Sequence, residues 1–436
     1  MESQKILVQG GRIIDPADNR DGIFDLLIEE GRISSIEPKI SSTQGSRLIN
    51  GSGMIVTPGL IDLHTHLREP GQEYKETIET GVAAAAAGGF TTICCMPNTV
   101  PVNDNVSVTE LILDRARAIG SVHVLPVGAI TKGSKGEELA EIGDLATGGC
   151  VAISDDGRPV MNGGIMRRAM EYAKIFDLPV IDHCEDLNLS GEGVMYEGRV
   201  STLLGLRGIP AAAEEVMVAR DIALAELTGG RLHIAHISTR GAVREVREAK
   251  RRGVKVTAET CPHYFTLTEE RVMGFDTHAK MKPPLASRED LEEIRRGLAD
   301  GTIDAIATDH APHAPHEKEL EFDRAPFGII GLETALSLSL LLVEEGVLTL
   351  PSLIWKFTVG PAGVLKRDIG RLSVGSPADI TLIDPSAEWT VDASSFRSKS
   401  KNSPFIGWKM KGKVAATFVG GKEIFRDKEI MREKAG

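Results

Sequence analysis

The amino-acid sequence predicts an α/β fold, a (β/α)8 barrel with a small β-sandwich that the N- and C-terminal segments form together. Three features of the 436-residue chain carry this prediction. Apolar runs alternate with helical stretches through the middle of the chain, polar residues suited to metal binding follow several runs, and β-rich sequence returns at both ends. The predicted boundaries are 1–56 and 366–436 for the two parts of the sandwich and 57–365 for the barrel.

Both terminal segments contain short β-rich runs separated by turn signals. At the N-terminus these runs lie at 5–8, 11–14, 25–28 and 31–33, and Gly10 and Gly31 stand at the turns. A similar pattern returns at 370–375, 379–383 and 414–419. We therefore expect the two ends of the chain to pair in one β unit outside the barrel.

The central segment contains eight predicted strands, each ending in a short motif that carries polar or small residues. These strands end at 64–66, 95–98, 127–129, 153–156, 181–183, 234–236, 258–260 and 306–309. Helical stretches separate them at 77–87, 108–118, 164–176, 213–227, 240–252 and 288–298. Eight parallel strands close a barrel of roughly 250 residues, and the active site of such a barrel lies at the C-terminal ends of its strands.

His64 and His66 stand two residues apart at the end of the first predicted barrel strand. Side chains two apart in a strand share one face, so both imidazoles are expected to converge, as in many zinc sites. Arg68 continues the alternation and would place a fixed cation beside them. A bare pair of histidines is more often an ordinary turn feature, so the interpretation depends on the other strand ends.

Those other strand ends supply further metal-binding side chains: an aspartate of Asp155-Asp156 after the fourth strand, His183 after the fifth, His236 after the sixth and Asp309 after the eighth. Four imidazoles and two carboxylates suit two divalent cations with one carboxylate bridging them, zinc by default and manganese or cobalt as substitutes. Alternation along the strand does not choose between Asp155 and Asp156.

Six motifs at these strand ends occur in combination: DLHTHLREPG at 62–71, MPN at 96–98, SDDG at 154–157, DHCE at 182–185, HIAHIST at 233–239 and ATDHAPH at 307–313. The combination resembles the amidohydrolase superfamily and, within it, the type I dihydroorotases, over essentially the whole chain. The resemblance implies the reversible closure of N-carbamoyl-L-aspartate to L-dihydroorotate, with loss of water, in pyrimidine synthesis.

The resemblance also implies roles for individual residues. The metal ligands would be His64, His66, Asp156, His183, His236 and Asp309. The substrate contacts would be His66, Arg68, Asn98, Lys282, His313, Phe327 and Gly328. Arg68, Asn98 and His313 would hold the carboxylate that does not react. Asp309, as a ligand, would be close enough to carry a proton between water and the ring nitrogen.

The bridge between the two expected zinc ions separates this chain from many relatives. Hydantoinases, allantoinases and type II dihydroorotases use a carboxylated lysine on strand four, whereas 150–156 reads CVAISDD and contains no lysine. The type I family uses an aspartate, and its motif matches Asp156.

Two positions after the seventh strand depart from the family pattern. The family usually reads NPPLR, whereas 282–286 here is KPPLA. Lys282 thus replaces an asparagine associated with the substrate, and Ala286 replaces an arginine. Lysine still donates hydrogen bonds, as a point charge with a different reach, so Lys282 stays among the candidate substrate residues.

Some alternatives stay open at this stage. The segment 310–324 could be a mobile lid or a solvated excursion.

A hydantoinase- or allantoinase-like cyclic amide hydrolase shares the barrel, although Arg68, Asn98 and the missing lysine speak against it. An inactive barrel that scaffolds aspartate carbamoyltransferase would be expected to lose metal ligands, and this chain keeps every one.

The composition bounds the partners and the compartment. The formal net charge of −12 disfavours nucleic acid and anionic membranes as partners, and no apolar run is long enough to span a bilayer. The N-terminus lacks the blocks of a signal peptide, and the five cysteines form no CxxC pair. We expect a cytoplasmic enzyme with a small-molecule substrate that forms a homo-oligomer, a dimer, and that associates with aspartate carbamoyltransferase.

Overall fold

The computed structural model describes residues 5–41 and 45–433. The strands in chain order are β1 (Lys5–Asp15), β2 (Arg20–Glu29), β3 (Arg32–Glu37), β4 (Ser46–Asn50), β5 (Ile55–Pro58), β6 (Leu60–Thr65), β7 (Phe90–Cys95), β8 (His123–Gly128), β9 (Ala152–Ile153), β10 (Val180–Asp182), β11 (Met195–Tyr196), β12 (Gly208–Ile209), β13 (Leu232–Ile234), β14 (Val256–Thr260), β15 (Ala305–Ile306), β16 (Ile380–Thr390), β17 (Lys409–Val419) and β18 (Lys422–Arg426).

The helices in chain order are α1 (Ile78–Ala87), α2 (Val106–Ile119), α3 (Ile142–Gly148), α4 (Gly163–Ile175), α5 (Leu187–Ser190), α6 (Arg199–Leu204), α7 (Ala212–Thr228), α8 (Arg240–Arg251), α9 (Arg288–Ala299), α10 (Pro315–Lys318), α11 (Ala335–Glu344), α12 (Leu350–Phe357), α13 (Val359–Leu365) and α14 (Lys428–Glu433). Among the described residues, no helix combines the length and the apolar character that crossing a membrane requires.

The two ends of the chain pair in one eight-stranded sheet, as the sequence predicts. Its order is β18-β17-β16-β5-β1-β2-β3, and β4 pairs with β1. The join between the ends is the antiparallel pairing of β5 with β16, in which Val56 lies opposite Leu382. Alternate side chains of the strands, such as Ile6, Val8 and Phe418, pack into a separate apolar core.

Eight parallel strands form the barrel in the order β15-β14-β13-β10-β9-β8-β7-β6. The ring is nearly closed between its first and last strands, because the N–H of His66 donates to the carbonyl oxygen of His310 at 2.9 Å and Thr65 bridges to the same residue. The predicted (β/α)8 barrel is therefore confirmed. The residue numbers at which the barrel meets the terminal sheet stay a prediction.

Helix boundaries follow the local capping chemistry and differ from the predicted ones by one or two residues. The Asn105 side chain accepts from the N–H groups of Ser107 and Val108, so α2 begins at Val106 and not at 108. The α1 helix begins after Thr77, whose hydroxyl and that of Thr80 form a reciprocal capping box.

Two buried threonines tie the terminal sheet to the barrel. The hydroxyl of Thr381 on β16 donates to the carbonyl oxygen of Gly89 at 2.6 Å, and that of Thr417 on β17 donates to the carbonyl oxygen of Ala86 at 2.7 Å. Ala86 lies in the last turn of α1, which precedes β7, so these bonds join the sheet to the barrel wall close to the base of a strand.

Replacing Thr381 with Val should lower the free energy of unfolding by about 1 kcal/mol, because the branched shape stays and only the buried hydrogen bond is lost. Urea unfolding followed by circular dichroism measures the change. Thr390→Val, exposed on the same strand, is the control and should change stability by no more than about 0.5 kcal/mol. Equal effects of the two substitutions would contradict a stabilising role for this contact.

Candidate active site

A cavity of about 350 Å³ opens at the C-terminal ends of the barrel strands. It is lined by His66, Arg68, Asn98, Asp156, Gly157, His183, His236, Lys282, Asp309, Ala311, His313, Pro326, Phe327 and Gly328. This lining contains every predicted substrate residue and every predicted metal ligand except His64. His64 lies directly beneath it, fully buried.

The carboxylate of Asp156 lies among all four predicted imidazole ligands. Its Oδ1 atom is 3.2 Å from His64 Nε2, 3.4 Å from His236 Nε2 and 3.8 Å from His183 Nδ1, and its Oδ2 atom is 3.5 Å from His66 Nε2. Burial would raise the pKa of Asp156, but the surrounding imidazoles hold it well below its ordinary value. One ionised carboxylate thus lies among four rings, three of them nearest Oδ1 and one nearest Oδ2.

Asp309 contacts two of the same imidazoles. Its Oδ1 atom lies 3.0 Å from His66 Nε2 and 3.7 Å from His64 Nε2. Burial favours the neutral acid, yet the hydrogen bond from His66 and the charge of the histidines lower the pKa of Asp309 to about 2. The carboxylate is therefore ionised at neutral pH.

The donor atoms of this cluster fit a metal ion. His64 Nε2 and Asp156 Oδ1 are buried without a hydrogen-bond partner in the part of the chain that the structure describes, although they lie 3.2 Å apart. His64, Asp156 and His236 form one group whose ligand atoms lie within 4.8 Å of one another, and His64, His66 and Asp309 form another. Buried, convergent and unpaired nitrogen and oxygen atoms are the donors that a divalent cation requires.

The two neighbouring aspartates of the DDG motif point in different directions. Asp155 accepts hydrogen bonds from the N–H groups of Ile130 and Thr131 at 2.8 and 3.0 Å, and the Thr131 hydroxyl also donates to it. It shapes the loop that follows β8 and faces away from the imidazoles. The geometry thus separates Asp155 from Asp156, which alternation along the strand does not.

Three of the site residues have left-handed backbone conformations. The φ angles are +62° at Arg68, +32° at His236 and +46° at Asp309. A non-glycine residue with positive φ costs of order 1–3 kcal/mol and persists only where its surroundings enforce it. These residues lie just past the ends of β6, β13 and β15, where the sharp change of direction aims each side chain into the cavity.

A second layer of polar residues aims the imidazoles. Glu259, at the end of β14, has one carboxylate oxygen 2.9 Å from His64 Nδ1 and the other 3.2 Å from His233 Nε2. Burial would raise the pKa of Glu259, but the bonds from the two histidines lower it to about 2. The sequence analysis predicted no role for Glu259. Its carboxylate within a buried strand was the signal that could have marked it as a partner of a ligand.

Two other histidines have equivalent partners. His66 Nδ1 lies 2.8 Å from Asn98 Oδ1, which leaves His66 Nε2 facing the two aspartates. His183 Nε2 lies 3.2 Å from Glu185 Oε2, which leaves His183 Nδ1 facing His236 Nε2 at 2.9 Å. Asn98, predicted from the resemblance as a substrate residue, thus also orients an imidazole.

Lys282 lies at the edge of the same cluster. Its Nζ atom is 2.9 Å from Glu185 Oε1 and 5.1 Å from the centre of the Phe327 ring. The lysine that replaces the family asparagine therefore reaches the cavity, and it forms an ion pair with the carboxylate that aims His183.

The side chains of Arg68 and His313 also border the cavity. Arg68 Nε donates to the carbonyl oxygen of Pro312 at 3.2 Å, and the guanidinium is buried. Burial and the nearby charge of Arg68 lower the pKa of His313, so its ring is neutral. His313 Nε2 donates to the carbonyl oxygen of Phe327 at 2.7 Å.

The segment 310–324, for which a lid and a solvated excursion were both considered, is held by buried contacts. It contains α10, and Lys318 is 4% exposed with its Nζ atom donating to the carbonyl oxygens of Thr277 and Pro326 at 3.1 and 2.7 Å. Lys75 forms an ion pair with Glu317 at 3.0 Å. The segment is a packed wall of the cavity in this structure.

Comparisons with known proteins identify the family and support the fold. The Dihydro-orotase-like family model matches residues 53–242. Dihydroorotase of Geobacter metallireducens is 59% identical over 421 residues, 97% of this chain and 99% of the relative, and that of Syntrophus aciditrophicus is 58% identical over 424 residues, 97% and 100% of the two chains. Among solved structures, an L-hydantoinase from Arthrobacter aurescens has a TM-score of 0.86 at 25% identity, covering 97% of this chain and 96% of its own.

A dihydropyrimidinase from Brevibacillus agri has a TM-score of 0.83 at 22% identity and covers 98% of this chain and 96% of its own, which supports the fold. The identity to the dihydroorotases is much higher and extends over nearly the whole of both chains. The protein is therefore a member of the dihydroorotase family and a hydrolase of the cyclic-amide type.

Proposed function

We propose that the protein catalyses the reversible interconversion of N-carbamoyl-L-aspartate and L-dihydroorotate, a step of pyrimidine synthesis. The observation that carries the proposal is the ionised Asp156 in contact with four imidazoles, inside a cavity that also contains the guanidinium of Arg68. Asp156 and the imidazoles suit a pair of cations that activate water and a carbonyl group. The guanidinium of Arg68 suits the substrate carboxylate that does not react.

Two zinc ions are part of the proposal. His64, His66 and Asp309 would hold one ion, His183 and His236 the other, and Asp156 would bridge them. When bound, two such cations lower the pKa of water from about 15.7 toward neutrality and polarise the reacting carbonyl group. The absence of lysine from 150–156 supports an aspartate bridge over a carboxylated lysine.

Asp309 is the proposed catalytic residue. Its carboxylate is ionised, borders the cavity, and lies next to the ring of His66. In hydrolysis it takes the proton of the attacking water and passes it to the ring nitrogen as the amide bond breaks. In synthesis it takes the proton of the carbamoyl nitrogen as that nitrogen attacks the side-chain carboxyl carbon, and it returns the proton to the departing water.

The substrate's unreactive carboxylate is proposed to lie against Arg68. A guanidinium offers a planar fork of N–H donors that matches a carboxylate, and burial strengthens each bond. Asn98 and His313 also border the cavity, and both already have partners: Asn98 Oδ1 lies 2.8 Å from His66 Nδ1, and His313 Nε2 donates to the carbonyl oxygen of Phe327. Asn98 thus has its Nδ2 group left to offer the substrate.

The Phe327–Gly328 backbone is proposed to contact the ring of the substrate. It borders the cavity next to His313, and Lys282 borders the cavity 5.1 Å from the Phe327 ring. Lys282 is an additional cation within reach of the substrate, although Glu185 already balances its charge. His66 is proposed to contact the substrate as well as the metal.

We also propose a homodimer in the cytoplasm, with aspartate carbamoyltransferase as a partner. Five buried, unpaired thiols support a reducing compartment. Exposed apolar side chains at Leu203, Met273 and Phe275 support a surface that a second copy covers. Sedimentation of the purified protein, alone and with the transcarbamoylase, tests both assemblies.

The function is tested by a paired assay with L-dihydroorotate and hydantoin, with metal analysis on the same sample. The expected result is turnover of dihydroorotate at least about a hundredfold more efficient than that of hydantoin, since only dihydroorotate has a carboxylate for Arg68. A preference for hydantoin would instead support the hydantoinase-like alternative.

Asp156→Asn should lose metal and nearly all turnover, because the amide keeps the shape of the side chain but removes the charge between the two cations. Asp155→Asn is the matched control. Its amide oxygen can still accept the N–H groups of Ile130 and Thr131, so metal content should stay close to that of the parent. Elemental analysis and activity are measured on both, and the reverse ranking would move the bridge to Asp155.

Arg68→Met should lower kcat/KM by a factor that corresponds to roughly 2–5 kcal/mol of activation free energy, because the buried carboxylate of the substrate loses its charge-assisted partner. Metal content should not change, since no predicted ligand bonds to the guanidinium. Arg68→Lys keeps the positive charge but not the planar fork of donors, so its kcat/KM should lie between those of the parent and Arg68→Met. If Arg68→Met retains the parent's efficiency, the carboxylate is held elsewhere, and Lys282 is the next residue to test.

A further inference from the structure

Asn402 lies in the C-terminal part of the chain, between β16 and β17, yet its side chain is buried at the edge of the active-site cavity. It is 2% exposed. Its Nδ2 group donates to the carbonyl oxygens of Ala311 at 3.0 Å and Gly328 at 3.1 Å, and its Oδ1 atom accepts the N–H of His313 at 3.1 Å. Both donor hydrogens and the acceptor of the amide are thus used.

These three bonds reach two separate loops of the cavity wall. The first loop, 311–313, follows Asp309, and the second loop, 326–328, comes after α10. The backbone of Asn402 adds a fourth bond, because its carbonyl oxygen accepts the N–H of Ile330 at 3.0 Å. One residue therefore bonds to both loops, which also meet directly where the Ala311 N–H donates to the carbonyl oxygen of Ile329 at 2.8 Å and His313 Nε2 donates to that of Phe327.

The loops leave little room for another arrangement. A Cβ atom built on Gly328 would lie 2.8 Å from Ala311 Cβ and 3.1 Å from His313 Nε2, and its φ of +129° disfavours any other residue. The carbonyl oxygens of 326, 327 and 328 are each held by a different side chain, Lys318, His313 and Asn402. Without Asn402, the carbonyl oxygen of Gly328 would lose its side-chain partner.

The segment around Asn402 is itself anchored to the barrel. The Ser398 hydroxyl and the N–H of Lys399 both donate to the buried carboxylate of Glu76, and the Ser400 hydroxyl donates to the carbonyl oxygen of Lys75 at 2.7 Å. These bonds fix the position of the segment, and the amide of Asn402 is therefore held in place relative to the barrel.

We propose that Asn402 is a positioning residue for substrate binding, whose amide joins the 311–313 and 326–328 loops and so places His313 and the Phe327–Gly328 backbone against the substrate. The inference rests on the proposed function, because it assigns the two loops to the substrate. Asn402 makes no bond to His64, His66, Asp156, His183, His236 or Asp309 among the contacts of the described residues. Its loss should therefore affect substrate binding more than metal binding or the chemical step.

The test compares Asn402→Asp and Asn402→Ser with the control Ser400→Ala. Asp keeps the shape but loses both N–H donors, Ser keeps a single donor, and Ser400→Ala removes a buried bond of the same segment that reaches neither loop. For Asn402→Asp, KM for dihydroorotate should rise about tenfold or more, because a small displacement of binding groups is costly. The kcat should stay within about threefold and the metal content should not change.

Hydrogen exchange measured by mass spectrometry gives a second readout that does not depend on activity. Peptides covering 310–314 and 326–331 should exchange faster in both Asn402 variants and at the parental rate in Ser400→Ala. Ser400→Ala should lower the Tm and leave KM within about twofold of the parent. An unchanged KM in a folded Asn402→Asp protein, or equal loop exchange in all variants, would overturn the inference.

The two proposals fail in different ways. If the parent protein does not turn over dihydroorotate, the proposed function fails, and loop exchange still decides whether Asn402 joins the loops. If the parent is active and the Asn402 variants match its KM, the role of Asn402 fails and the proposed function stands.

Discussion

The carboxylate of Asp156 is the group on which the rest of the site depends. Four imidazoles lie within 3.8 Å of it at the end of an apolar barrel, where like-charged or unpaired rings would be costly to bury. Burial would lower the pKa of His64, yet the charge of Asp156 raises it well above the ordinary value. The negative charge at this position therefore lets the rings lie close together, and the same charge suits the space between two cations.

Three of the four rings are turned by a second residue so that one ring nitrogen faces Asp156. Glu259 does this for His64, Asn98 for His66 and Glu185 for His183, each by contacting the second ring nitrogen. This layer fixes the tautomer as well as the orientation, which sets how well a ring serves as a ligand. Lys282 belongs to the same layer through its ion pair with Glu185. A change at Lys282 therefore affects both the cavity surface and the aim of His183.

The terminal segments have a part in the site and do not only cover the barrel. Asn402 joins two loops of the cavity wall, and Glu76 ties the segment that carries Asn402 to His310, next to Asp309. The threonine contacts of β16 and β17 hold the terminal sheet against the barrel elsewhere, near the base of β7. The wall on the substrate side of the cavity therefore includes a residue of the C-terminal segment, whereas the proposed ligands come from the barrel strand ends.

The sequence by itself determined the barrel, the joined terminal sheet and the position of the predicted ligands at the strand ends. These are properties of local periodicity and of short motifs, whereas the start of α2 at Val106, which the Asn105 cap sets, differs from the predicted start. Motif matching also favoured Asp156 for the bridge. Only the tertiary structure decided that Asp155 turns toward Ile130 and Thr131, because direction at a strand end depends on the neighbouring loop.

Long-range contacts account for what the sequence did not reveal. Asn402 meets Ala311 across 91 positions and Glu259 meets His64 across 195, and no local pattern marks such pairs. Glu185 and Lys282 likewise become partners only when the segments that follow β10 and β14 come together at the cavity. A sequence records which side chains can bind metal or substrate, but packing of distant segments decides which second residue aims each one, since that choice depends on distances set by the whole fold.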